Sequence, residues 1–390
     1  MQSSEVLKGT SITLGVNMKL DNNQKAFFAL LQSGLWERDI ELAPFKGLDY
    51  SVLYKIAKEQ SVVGVVVAGL EHVTDVKVPQ DILLNYIGNA LQIEHKNVAM
   101  NNIVGSLVEK MRKAGIYTLL VKGQGVAQCY ERPLWRSCGD IDFYLSKDNF
   151  LKAKKFFRPL VVKFDPDNEY TQHINMHYED WVVEIHANQH STLSSRIDKE
   201  LDKIHKDLFN SGNVRSWMNG KTQVFLPDAD IDVLLSFTHY LNHFYKGGLG
   251  VRQICDWSRL LWTYRGKLNL ELLDSRLCQM GLVSEWKAFG AFAVEYLGMP
   301  SEAMPLYDGS NKWREKAKRI KNFVIEVGNF GHNRDMSYYG KYPFLLRKLC
   351  SLGVRIGDLC HHVGIFPMDS LRFSFSIMKN GVANAVRGEG

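Results

Sequence analysis

A chain of 390 residues with 45% hydrophobic and 23% charged content has the balance of a globular protein of two or three domains, which excludes disordered and fibrous classes. A net charge of +6 is too mild to announce a nucleic-acid binder, and six cysteines without a C-x-x-C pair exclude a zinc knuckle or a redox motif. The longest apolar stretch, 62–70, is far short of a bilayer span and residues 1–20 lack a signal-peptide pattern, so a cytoplasmic setting with reduced thiols is expected.

Residues 1–17 match no element and Met18-Lys19 directly precedes the first helical pattern, so translation is expected to begin at Met18. Residues 20–114 read as a helical N-terminal region. Asn22 or Asn23 caps a helix over 25–35, with Phe27, Leu30 and Leu31 at helical spacing. A second periodic stretch spans 50–70. Pro79-Gln80-Asp81 opens a third that runs to Lys113, with Leu84, Ile87, Leu91, Ile103, Leu107 and Met111 on one stripe.

Residues 115–190 change character. An apolar strand over 116–121 leads into Lys122-Gly123-Gln124-Gly125, a helical turn and a polar loop over 131–139. A second strand follows over 140–145, and Ser146 caps a helix ending near Phe157. Residues 171–178 and 181–187 alternate as a hairpin about Glu179-Asp180. Residues 191–390 read as helical again, with helices over 231–244 and 251–264 separated by a glycine-rich break at 246–250. Trp257, Leu260 and Leu261 are core packing, and the tail over 381–390 is expected to fray. Lys312, Arg314, Lys316, Lys318, Arg319 and Lys321 crowd one segment, and Lys341, Arg347, Lys348 and Arg355 continue the excess. They form either a solvated helix face or a surface for an anionic partner. The fold class is α+β, a small mixed-sheet core flanked by N-terminal and C-terminal helical layers.

The chemistry concentrates at Gly139-Asp140-Ile141-Asp142-Phe143. On a strand, Asp140 and Asp142 project from one face and Ile141 and Phe143 from the other. Two adjacent acids repel unless a cation neutralises them, and their oxygens suit Mg²⁺, with Mn²⁺ as the alternative ion. A solvent-facing pair at a strand end is the plainer alternative. Downstream, Glu184 stands between apolar neighbours and shares its face with His186. A third acid there completes a metal site or takes a proton from an attacking hydroxyl, and His186 supports it. The small residues of Lys122-Gly123-Gln124-Gly125 suit backbone approach to a phosphate, although a G-x-G is also an ordinary turn. Lys122 and Arg136 either neutralise a triphosphate or pair with Asp140 or Asp142. Arg252, on the helix after the glycine break, either binds an anion or pairs with Asp256 four residues on. The spacing of His173 and His177 is metal-like only on a helix, and their segment reads as a strand. His239 and His243 have helical metal-ligand spacing, but a core role or a contact to nucleotide or acceptor fits better.

In order, these residues resemble the nucleotidyltransferase superfamily that includes DNA polymerase beta, and more closely its branch of uncharacterised nucleotidyltransferases. That branch has an apolar strand ending in Lys-Gly, then Tyr, then Arg-x-x-Gly-Asp-x-Asp, then Glu-x-His. Lys122-Gly123, Tyr130, Arg136-Ser137-Cys138-Gly139-Asp140-Ile141-Asp142 and Glu184-Ile185-His186 match it, and the likeness spans about residues 25–265. Glu59-Gln60-Ser61-Val62-Val63-Gly64, His239, His243 and Asp256-Trp257 resemble its flanks. Gln124 departs from the wider superfamily, which has Gly or Ser there, and the gap from Gly123 to Asp140 is longer than in the polymerase-like pattern.

The resemblance implies metal-dependent transfer of a nucleoside monophosphate from an NTP donor to an unidentified hydroxyl acceptor. No stable nucleic-acid partner is expected, because no aromatic-interleaved basic motif stands out. The rival reading is a non-catalytic nucleotide- or partner-binding accessory of surface-polysaccharide assembly, with peripheral contact to a membrane or glycan-lipid.

Overall fold

Asn22 opens the first helix, α1 (22–36), of the computed structural model, which describes residues 22–161, 163–164, 172–331, 333 and 344–386. The segment 1–17, Met18, Thr171, Lys341 and the last four residues of the tail lie outside the described residues. The two asparagines fasten the following loop rather than cap α1: Asn22 Nδ2 donates to Lys46 O and Asn23 Oδ1 accepts from Asp49 N. Asp49 in turn caps α2 (Tyr50–Glu59) by accepting from Ser51 N and Val52 N. The apolar run ahead of His72 forms α3 (Val63–Glu71). It crosses α1 backbone to backbone, since a Cβ at Gly34 would sit 1.9 Å from Val65 O.

The third pattern becomes α4 (Gln80–Lys113), 34 residues and about 50 Å long. Its buried stripe differs from the expected one. Tyr86, Ala90, Asn97, Met100, Val104, Leu107 and Met111 face the core, while Leu84, Ile87 and Leu91 are exposed. The stripe follows the helical repeat through Asn97, a polar residue that packs inward because the loop after the first strand supplies its hydrogen-bond partners.

The central region builds β1 (Leu119–Val121), α5 (Gly123–Ala127), β2 (Ile141–Tyr144), α6 (Lys147–Phe157), β3 (Lys163–Phe164), β4 (His173–Tyr178) and β5 (Trp181–His186). Ser146 caps α6 as its sequence implies. The strands form one mixed sheet in the order β1-β2-β5-β4-β3, in which only the β2–β5 step is parallel. Ile141, Phe143, Val183 and Ile185 point into a core shared with α4 and α6. Alternation therefore turns Asp142, Glu184 and His186 to the opposite face.

The remaining chain is helical with one exception. After α7 (Ser195–Ser211), a hairpin of β6 (Val214–Asn219) and β7 (Thr222–Pro227) interrupts the region read as helices. Its turn is Gly220 at φ 60°, and β7 buries Thr222, Val224 and Leu226, period two, beside β1 and α4. Then follow α8 (Ala229–Lys246), α9 (Val251–Tyr264), α10 (Leu270–Met280), α11 (Val283–Leu297), α12 (Asn311–Val327), α13 (Phe344–Ile365) and α14 (Pro367–Val386). Trp257, Leu260 and Leu261 are fully buried, and the Trp257 ring meets Trp286 edge-on at 4.8 Å. α12 buries Trp313, Ala317, Ile320, Phe323 and Val324, leaving its lysines and arginines on the other side. Cys129, Cys138 and Cys255 are buried, whereas Cys278 and Cys360 are exposed. No helix among the described residues is long and apolar enough to cross a membrane.

Candidate active site

The chain leaves β1 through a strained turn. Lys122 has φ 55° and ψ −147°, a conformation that residues with a Cβ rarely adopt. Gly123 follows at φ 35°, and a Cβ there would lie 3.1 Å from Cys138 Sγ. The turn brings Lys122 Nζ to 2.7 Å from Asp142 Oδ1.

Asp142 and Glu184 are register partners across the parallel β2–β5 step. His186 bridges them, its Nε2 3.1 Å from Asp142 Oδ1 and 3.4 Å from Glu184 Oε2. His173, paired with His186 across β4–β5, places its Nε2 3.2 Å from the same Glu184 oxygen. Burial opposes ionisation of Asp142, but the Lys122 ammonium and the His186 hydrogen bond outweigh it and hold the carboxyl below its ordinary range. Burial also works against Glu184, and hydrogen bonds from His173 and His186 hold it well below. The reciprocal effects raise Lys122 and His186 against their own burial.

Asp140 is the odd member. Its carboxylate makes no hydrogen bond or ion pair among the described residues, and burial followed by the Asp142 charge pushes its pKa up. A half-buried acid that lacks a cation and faces two further acids is an oxygen donor set suited to a hard divalent ion. Asp140, Asp142 and Glu184 offer the oxygen type that Mg²⁺ takes, while the ligand atoms that lie within 4.8 Å of one another among the described residues belong to His173, Glu184 and His186.

The other sequence-singled residues divide between cleft and scaffold. Arg136 is scaffold: Nε and Nη2 fork onto Asp256 at 3.0 and 2.5 Å, and Tyr130 Oη donates to the same carboxylate at 2.7 Å. Its guanidinium therefore pairs with neither Asp140 nor Asp142, and it borders the cavity. The Gln124 side chain turns away from the acids to donate to Asn97 Oδ1 at 2.8 Å, and Asn97 holds Leu134 O and Arg136 O. Gly125 packs against Leu226 in the five-residue α5, while Gly123 lines the cleft.

Arg252 behaves differently. Asp256 is taken by Arg136, so the local pair with Arg252 does not form; Arg252 Nη1 donates to Ser137 O at 2.7 Å, and Nε is buried without a partner. Burial and then repulsion from Arg136 lower its pKa. The first amides of α9 are already occupied, Val251 N by Gln60 Oε1 and Gly250 N by Gln253 Oε1. Any anion contact here belongs to the Arg252 side chain, which lines the cavity with Asp140 and Asp142.

The cleft has two lobes that share Lys122, Glu184, His239 and His243. One lobe, about 220 Å³, holds Asp140, Asp142 and Arg252; the other, about 260 Å³, holds His173, His186, Asn242 and Lys246. His239 and His243 on α8 touch through their Nε2 atoms at 3.0 Å, one donating and one accepting. Burial and the Lys122 charge push His239 well down and His243 to about 4, so both rings are neutral near pH 7. His173 is the cleft residue that its strand reading had set aside.

The chain matches no curated protein and no solved structure. A family model described as uncharacterised nucleotidyltransferase matches residues 46–298, a span that contains every cleft residue named above. The chain belongs to the uncharacterised nucleotidyltransferase family.

Proposed function

We propose that this protein transfers a nucleoside monophosphate from an NTP to a hydroxyl-bearing acceptor, with Asp140, Asp142 and Glu184 as its catalytic acids. The observation that carries the reading is the convergence of these acids on one wall of a cleft into which Lys122 and Arg252 bring positive charge. Family membership supports nucleotidyl transfer as the general reaction.

Asp140 and Asp142 would hold Mg²⁺, or Mn²⁺ in its place, and an ion there would supply positive charge to the triphosphate. Arg252, with its unpartnered Nε, and Lys122 bind phosphate oxygens. The acceptor oxygen forms a bond to the α-phosphorus, the bond to the bridging oxygen breaks, and pyrophosphate leaves. Glu184 either takes the hydroxyl proton or completes the donor set, in which case the proton passes to water. Residues of α8 and α9 form the facing wall of the cleft.

The test is a titration of the purified protein with ATP, GTP, CTP and UTP, in Mg²⁺ and in EDTA, beside the Asp142→Asn variant. Metal-dependent binding that the variant loses supports the reading and names the donor. No binding of any of the four to folded protein would favour a non-catalytic role.

A further inference from the structure

The second lobe of the cleft adds the imidazoles of His173 and His186 to the Glu184 carboxylate. His173 and His186 are direct partners across β4–β5, and Glu184 lies two residues from His186 on the same face. His173 Nε2 and His186 Nε2 lie 3.2 and 3.4 Å from Glu184 Oε2, and the three donors all fall within 4.8 Å of one another. Around an ion with bonds near 2.1 Å, neighbouring donors sit about 3.0 Å apart in an octahedron and about 3.4 Å apart in a tetrahedron.

We propose that His173, Glu184 and His186 form a cation site of their own, selective for a borderline transition ion of the Co²⁺–Zn²⁺ class over Mg²⁺. Two imidazoles and one carboxylate set this preference, because Mg²⁺ takes oxygen ligands and sheds water reluctantly while imidazole suits the later first-row ions. The two rings stack at 4.4 Å and 11°, so an incoming ion must turn each imidazole out of the stack until its lone pair faces the metal. The ion also replaces the His186 contact to Asp142 Oδ1. Both imidazoles approach the same Glu184 oxygen, Oε2. The inference stands apart from nucleotidyl transfer, since it concerns binding without nucleotide.

The experiment adds Co²⁺ alone to the full chain and follows its visible absorption. With excess Mg²⁺ present to fill the oxygen site, one equivalent of Co²⁺ is expected to stay bound. His173→Gln is expected to weaken binding at least tenfold, while Asp140→Asn retains it. Paramagnetically shifted ring protons from two histidines in the wild-type complex give a readout that does not depend on the variant folding. Unchanged affinity in His173→Gln, displacement by Mg²⁺, or no shifted histidine signals would each overturn the site. A chain that binds Co²⁺ in this way but binds no NTP would keep the site while sinking nucleotidyl transfer.

Discussion

Asp142 and Glu184 face each other across the one parallel step of the sheet, with His186 Nε2 between their carboxylates and Lys122 Nζ 2.7 Å from Asp142. Each acid is thereby kept ionised in a buried site by cationic or donating neighbours. Asp142→Asn keeps the shape but removes the charge. Turnover is expected to fall by about a thousandfold or more, measured as pyrophosphate release. Far-UV circular dichroism should be unchanged, and stability should drop by about 1–3 kcal/mol because Lys122 loses its partner. An active variant would sink the mechanism.

The backbone of Lys122 offers a second test. Its φ of 55° with ψ of −147° suits glycine and strains any residue with a Cβ. Lys122→Gly and Lys122→Ala both lose the ammonium, but only the glycine variant relieves the strain. Lys122→Gly should therefore be the more stable of the two by about 1–2 kcal/mol in urea unfolding. Equal stabilities would show that the turn carries no strain.

Arg136 and Arg252 border the same cavity and should respond in opposite ways. Arg136→Met leaves Asp256 buried without its fork, at a cost of about 3–5 kcal/mol in stability. Arg136→Lys should not restore it, because an ammonium cannot make the bidentate contact. Arg252→Met removes a buried cation that has no carboxylate partner, so stability should change by less than about 1 kcal/mol. NTP affinity should instead fall about tenfold, which is close to 1.4 kcal/mol. Loss of stability without loss of affinity at Arg252 would move it to the scaffold.

These contrasts also mark what the sequence could and could not disclose. Alternation along a strand is local, so the shared face of Asp140 and Asp142, and of Glu184 and His186, was readable from spacing. The place of His173 was readable too. A two-residue turn at Glu179-Asp180 pairs Tyr178 with Trp181, and counting back along the hairpin sets His173 against His186. Reading the histidine spacing as a helix-or-nothing signal hid it. The hairpin at 214–227 carried a Gly220-Lys221 turn, glycine first, between alternating residues, a recognised signal that the helical surroundings masked. The Arg136–Asp256 fork was of another kind. Its partners are 120 residues apart, and only the packing of α9 against α5 and its following loop brings them together. The stripe of α4 failed similarly, because a buried Asn97 and exposed leucines reverse the local hydrophobic code.

Away from the cleft, Glu285 on α11 is fully buried. Tyr245 Oη donates to its Oε1 at 3.1 Å, and Oε2 has no partner. Burial first, and then the Asp369 charge, push its carboxyl up from 4.5 to about 8, with Arg372 opposing weakly. The sign of the stability change follows from proton counts. Between these two values the native chain keeps a proton that the unfolded chain has released, so stability falls as pH rises through this window. Glu285→Gln is a neutral isostere that removes the dependence. The variant and wild type should be nearly equal at about pH 5 in urea unfolding, and the variant should lead at about pH 8 by on the order of 4 kcal/mol. A wild type that holds its stability to pH 8, parallel to the variant, would show that Glu285 ionises in place with its charge compensated.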